Sequence, residues 1–181
     1  MDYLKKLEEK VFGWFKAAPN LPNDARKWLG DNIWWIIIVG VFLVGVNILR
    51  GLATLEQQIS LQGTVAGSYY VSSTTSEWII VTVSVSLFFL VFEAILMFLS
   101  IQPLKEKQKK GWVLLFAAWL ISGVGLVVNA LLTLGVFSFI ITVLFGAVWL
   151  AISGYFLFEI HGQFAHVERS AGVKKDSKAT K

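Results

Sequence analysis

Fifteen of the sixteen Lys and Arg residues fall in three patches, Lys5 to Lys27, Lys105 to Lys110 and Arg169 to Lys181, and four long apolar runs lie between them. Arg50 is the exception. Each run is long enough, at about 1.5 Å per helical residue, to cross a hydrocarbon core of about 30 Å. Positive segments held on one side of a membrane produce this alternation. The expected fold is therefore all-α: an integral membrane antiparallel four-helix bundle. With 56% hydrophobic and only 15% charged residues in 181, the chain has too little polar surface for a soluble fold of this size. The net charge of +4 sits beside the apolar runs, so anionic lipid headgroups are the expected partner and nucleic acid is not. The absence of cysteine excludes disulfides, thiolate metal sites and palmitoylation.

The runs place spans at about 33–52, 78–101, 112–134 and 136–160, within a bundle covering residues 32–164. The first span is the shortest and is expected to act as an uncleaved anchor. Loop 53–77 carries no Lys or Arg and is expected on the outer side. Segment 1–31 and the basic tail 165–181 then face the cytoplasm, in a multi-pass protein of the cytoplasmic membrane. Trp34, Trp35, Trp78 and Trp112 mark span ends as an aromatic belt, and Lys105, Lys107, Lys109 and Lys110 hold the second turn at the headgroups.

Residues 1–18 read as an amphipathic interfacial helix, with Leu4, Leu7, Val11, Trp14 and Phe15 at helical spacing among Lys and Glu. Asn20 to Pro22 breaks it, and a short helix is expected from Asp24 to Leu29. In the outer loop, SYYVSSTTS is a weak strand pattern, and Tyr69 and Tyr70 are expected on the headgroups or over the mouth of the bundle.

Each span carries a line of small or polar residues at helical offsets. The lines are Gly40, Asn47 and Gly51; Thr82, Ser86, Glu93 and Ser100; Ala118, Ser122, Gly125 and Asn129; and Ser138, Thr142, Gly146, Trp149 and Ser153. Small residues let helix backbones approach and polar ones bond across the contact, so the lines should face one another. Counting residues puts Asn47 about 21 Å and Asn129 about 25 Å from the inner ends of their spans. These two carboxamides are expected to meet or to share a polar partner.

Glu93 lies about 22 Å below Trp78, in the inner third; Ser122, Ser153, Tyr155 and Trp119 pass near that depth, and Ser86, on the same line of α-helical offsets, completes the candidate polar set. A charge at the centre of a span costs roughly 2.5–3.5 kcal/mol, so this carboxyl needs a proton, water or a donor. Two readings stand. One is a hydrogen-bonded group that locks helix packing; the other is a cation or proton site in a small transporter or channel. No second charged residue shares its depth, and none of the three prolines interrupts a span. His161 and His166, five apart, do not share a face as metal ligands would, and Glu159 is expected at the inner interface. No catalytic motif, cofactor site or metal site is expected.

Lys107 to Ile121, KQKKGWVLLFAAWLI, resembles a segment shared by a group of small uncharacterised bacterial membrane proteins with four spans. The resemblance covers about fifteen residues and implies a bacterial cytoplasmic membrane. The long Ser/Thr-rich outer loop departs from it. The expected role is non-enzymatic: a structural, accessory or partner-binding protein, alone, as a homo-oligomer or with another membrane protein. The alternative is a small ion- or proton-coupled transporter using Glu93.

Overall fold

The apolar runs, free of internal proline except at one helix end, become uninterrupted helices. A computed structural model of the chain describes residues 6, 7, 10, 11, 13, 15, 19–65, 73–133 and 135–164, with backbone alone for 61–65 and 73–76. Four helices follow in order: α1 (Asn23–Val65), α2 (Ser73–Lys105), α3 (Lys109–Leu132) and α4 (Val136–Glu159). All four contain stretches long and apolar enough to cross a membrane, and among the described residues there is no strand. The fold is an all-helical four-helix bundle of a multi-pass membrane protein. Trp14, Tyr69, Tyr70, His166 and the tail 165–181 lie outside the described residues.

The first helix departs from expectation. The first span, the shortest by sequence, sits in the longest helix, of 43 residues or about 65 Å. The stretch from 53, expected as a loop, stays helical to Val65, and 73–77 already belongs to α2. Ala53, Leu55, Glu56, Gln57 and Gln58 are good helix formers, and no proline follows to stop them. The short 24–29 helix is likewise the start of α1.

Helix α2 packs along both α1 and α3, while α4 rests on α3. Gly40 and Gly51 of α1 face Met97 and Leu87 of α2. Because Gly51 is level with Leu87, nine residues inward of Trp78, Arg50, one residue further in, lies about 15 Å from the level of Trp78. The two do not mark one membrane boundary. Arg50 is exposed, and among the described residues it forms no salt bridge with Glu56 or Glu77.

The turn from α2 to α3 is the tightest joint. Lys107 takes the left-handed conformation at φ 55°. Its N–H donates to the Leu104 carbonyl at 3.0 Å and that of Gln108 to Pro103 at 2.8 Å. With the Glu106 N–H donating to the Gln102 carbonyl at 3.1 Å, these bonds satisfy carbonyls of the last helical turn. Gly111 then passes so close that a Cβ would lie 2.6 Å from the Leu104 backbone nitrogen. The glycine is required by this approach, not by any unusual dihedral.

The core lies at the end of the bundle that carries this basic turn. Trp112, Ile160, Phe164, Leu104 and Phe116 are buried there with Ile33, Ile37, Leu157 and Phe158. We refer to it as the basic end, and to the opposite one as the far end. Val11 of the N-terminal segment joins the same cluster, so this residue of the expected surface helix is seated on the bundle.

Candidate intramembrane polar site

The small and polar residues of α2 and α3 meet along one seam. Ser86 is hydrogen-bonded to Asn129 Oδ1, Phe89 fits against Gly125, and the Ser122 side chain lies beside the Glu93 carboxyl. The three pairs share one antiparallel register, centred on the Lys107–Gln108 turn. At the far end, the Trp78 indole N–H donates to the Leu132 carbonyl at 2.8 Å. The short turn sets the alignment, and the helical repeat carries it outward. Two lines read from sequence are therefore one contact surface, as expected for helices associating in lipid.

Within this seam Glu93 is half-buried and has Ser122 as its partner. The other expected neighbours are elsewhere. Ser86 belongs to the Asn129 pair, and Ser153 donates to its own helix at the Trp149 carbonyl, 2.8 Å away. Tyr155 donates to the Pro19 carbonyl at 2.7 Å. The cluster of five expected around Glu93 thus resolves into one pair and three separate contacts. Ser86 lies two turns further out on the same helix, and Ser153 and Tyr155 lie on α4, which packs on α3.

The two carboxamides do not meet. Asn129 donates to the Gly125 carbonyl at 2.9 Å while accepting from Ser86. Asn47 is exposed and donates to the Leu43 carbonyl of its own helix at 3.0 Å. The reason is topological: α2, not α1, lies beside α3 along this seam, so its serine reaches Asn129 first.

The belt residues also divide. Trp35 is exposed, whereas Trp112 is fully buried and donates to the Leu157 carbonyl at 2.9 Å. Trp112 is a core residue, and His161 meets its ring edge-on, with centroids 4.6 Å apart. The lysines of the turn are partly engaged inside the protein. Lys107 is paired with Asp31 of α1, and the Lys105 ammonium lies 5.3 Å from the centre of the Trp34 ring. Lys109 and Lys110 open α3 beside them.

Two features were missed by sequence reasoning. Trp119, seven residues beyond Trp112, donates to the Leu150 carbonyl at 3.0 Å, seven residues before Leu157. The matched heptads of α3 and α4 were the available signal. Arg26 and Glu159 form an ion pair, Nε to Oε2, at 2.8 Å, with the Glu159 side chain only 9% exposed. Each charge was visible, but nothing in the spacing linked residues so far apart. Among the described residues, no group of three His, Asp or Glu side chains is arranged to hold a metal ion. No protein-family model, curated protein or solved structure matches this chain.

Proposed function

We propose that the chain is a non-enzymatic protein of a bacterial cytoplasmic membrane, with both ends in the cytoplasm, that acts as a structural or accessory partner of another membrane protein. The observation that carries this reading is the state of Glu93. The Ser122 side chain stands beside the Glu93 carboxyl, in register with the Ser86–Asn129 hydrogen bond. A carboxyl placed that way fixes the rotation of α2 against α3. The one-sided distribution of Lys and Arg supports the orientation.

Glu93 also favours a second reading. One serine hydroxyl occupies only part of a carboxyl's acceptor capacity, and the group stands within a span. That is compatible with proton or cation movement. Reconstitution into liposomes separates the two. The structural role predicts no proton, cation or anion flux above empty vesicles, and a lowered melting temperature for Glu93→Leu. Flux that disappears in Glu93→Gln establishes the transport reading instead.

A further inference from the structure

One face of α1 changes character where it meets the basic turn. Lys27, Trp28, Asp31, Trp34 and Trp35 follow one another at offsets of three, four and seven, so they share a face of the helix. Trp28 and Trp35 are exposed on it. Heptad steps carry the same face onward to Ile38, Phe42 and Leu49, and Phe42 and Leu49 are exposed too. The face is therefore basic and aromatic over its first turns and apolar for about the next 20 Å.

The turn between α2 and α3 brings two more lysines to that face. Lys107 is paired with Asp31, and the Lys105 ammonium lies 5.3 Å from the centre of the Trp34 ring. Lys27, one turn before Asp31, also acts on that carboxylate through its charge. Three lysines from two elements thus flank one carboxylate. The other acids of this region stand apart. Glu106 of the turn accepts from the Gln102 and Gln108 amides, and Asp24 lies seven residues, about 10 Å, from Asp31 along the helix axis. Among the described residues neither Lys27 nor Lys105 is in a salt bridge.

We propose that this face binds one anionic phospholipid in the leaflet that meets the basic end, its phosphate between Lys27, Lys105 and Lys107 and an acyl chain along Phe42 and Leu49. The order of chemistry along α1 matches that ligand: positive charge for the head, tryptophans at the interface, then apolar surface for a chain. An apolar transmembrane helix seated here would leave the lysines without a counter-charge, and a soluble anion would make no use of the apolar track. Asp31 limits the grip of the site, because it competes with the phosphate for Lys107.

Native mass spectrometry of the full-length chain in a non-ionic detergent tests the assignment. Phosphatidylglycerol and phosphatidylcholine with the same acyl chains are titrated separately, and the first binding constant of each is read. A basic residue beside an anionic lipid is worth a factor of about five in binding. The first phosphatidylglycerol should therefore bind at least about five-fold more tightly than the first phosphatidylcholine. Lys27→Gln with Lys105→Gln should abolish that preference. Lys174→Gln with Lys175→Gln, which takes the same charge from the tail, should leave it within about two-fold. Asp31→Asn releases Lys107 and should strengthen phosphatidylglycerol binding about two-fold to five-fold. Equal losses from the two lysine pairs would reduce the effect to net charge and overturn the site, as would no gain in a stably folded Asp31→Asn. If Asp31→Asn lowers the melting temperature, Lys27→Gln alone decides, since it leaves the Lys107–Asp31 and Lys105–Trp34 contacts in place; an unchanged preference in that variant overturns the site. A dimer that Phe42→Ala abolishes, with the lipid preference unmoved by Lys27→Gln and Lys105→Gln, would assign the face to a second copy of the chain instead.

Discussion

The basic end and the far end of the bundle draw on the same kinds of apolar side chain but use them differently. At the basic end Trp112 and Ile160 are 0% exposed and Phe116 is 2% exposed, in contact with aromatic neighbours from the other helices. At the far end Val136 and Phe137 are 77% and 78% exposed within the chain. In water such a contrast would be unstable. In lipid the tails already solvate apolar side chains, so helices associate through close fit and hydrogen bonds. The packed end supplies both: Trp112 and Phe116 meeting Phe158 edge-on, two indole-to-carbonyl bonds, the Arg26–Glu159 pair and a glycine pressed on a helix end. The far end offers narrower ties, Trp78 to Leu132 and Ser86 to Asn129. Apolar content therefore says where the membrane is, and fit says where the protein is held together.

This contrast can be broken by substitution, measured as the free energy of unfolding in mixed micelles. Trp112→Ala removes a fully buried ring and its bond to Leu157, and should cost about 3–5 kcal/mol. Gly111→Ala places a methyl group against the Leu104 backbone and should cost about 1–3 kcal/mol. Asn129→Leu removes the partner of Ser86 and should cost about 1 kcal/mol, the scale of an interhelical hydrogen bond in a membrane. Phe137→Ala should lie within about 0.5 kcal/mol of the parent chain. If Phe137→Ala costs as much as Trp112→Ala, the two ends are equally packed and the contrast is lost. A cost below that of Phe137→Ala for Asn129→Leu would remove the α2–α3 seam from the forces that hold the bundle.

The bundle was legible in the sequence because charge and length constrain it globally. The small-and-polar lines of α2 and α3 were legible too, since both depend only on the helical repeat. Asn47 and Tyr155 were not. Counting residues gives depth along a helix, but rotation about the axis comes from the neighbour it packs on. Trp112 shows the same limit: its place near the start of α3 follows from counting, while its direction, inward to Leu157, depended on α4. The 53–65 extension of α1 was hidden for another reason. Its polar residues resemble a loop by composition, yet Glu, Gln, Leu and Ala are also strong helix formers.

The most direct measurement is a pair of interspin distance distributions in liposomes. Nitroxide labels at Trp28→Cys and Gly162→Cys report the basic end, and labels at Ile59→Cys and Phe137→Cys report the far end; Trp28, Ile59 and Phe137 are exposed, and the Gly162 site has open space around it. A bundle held at its basic end predicts one narrow distribution for the first pair and a distinctly broader one for the second. Equally narrow distributions, or a broad one at the basic end, would contradict it.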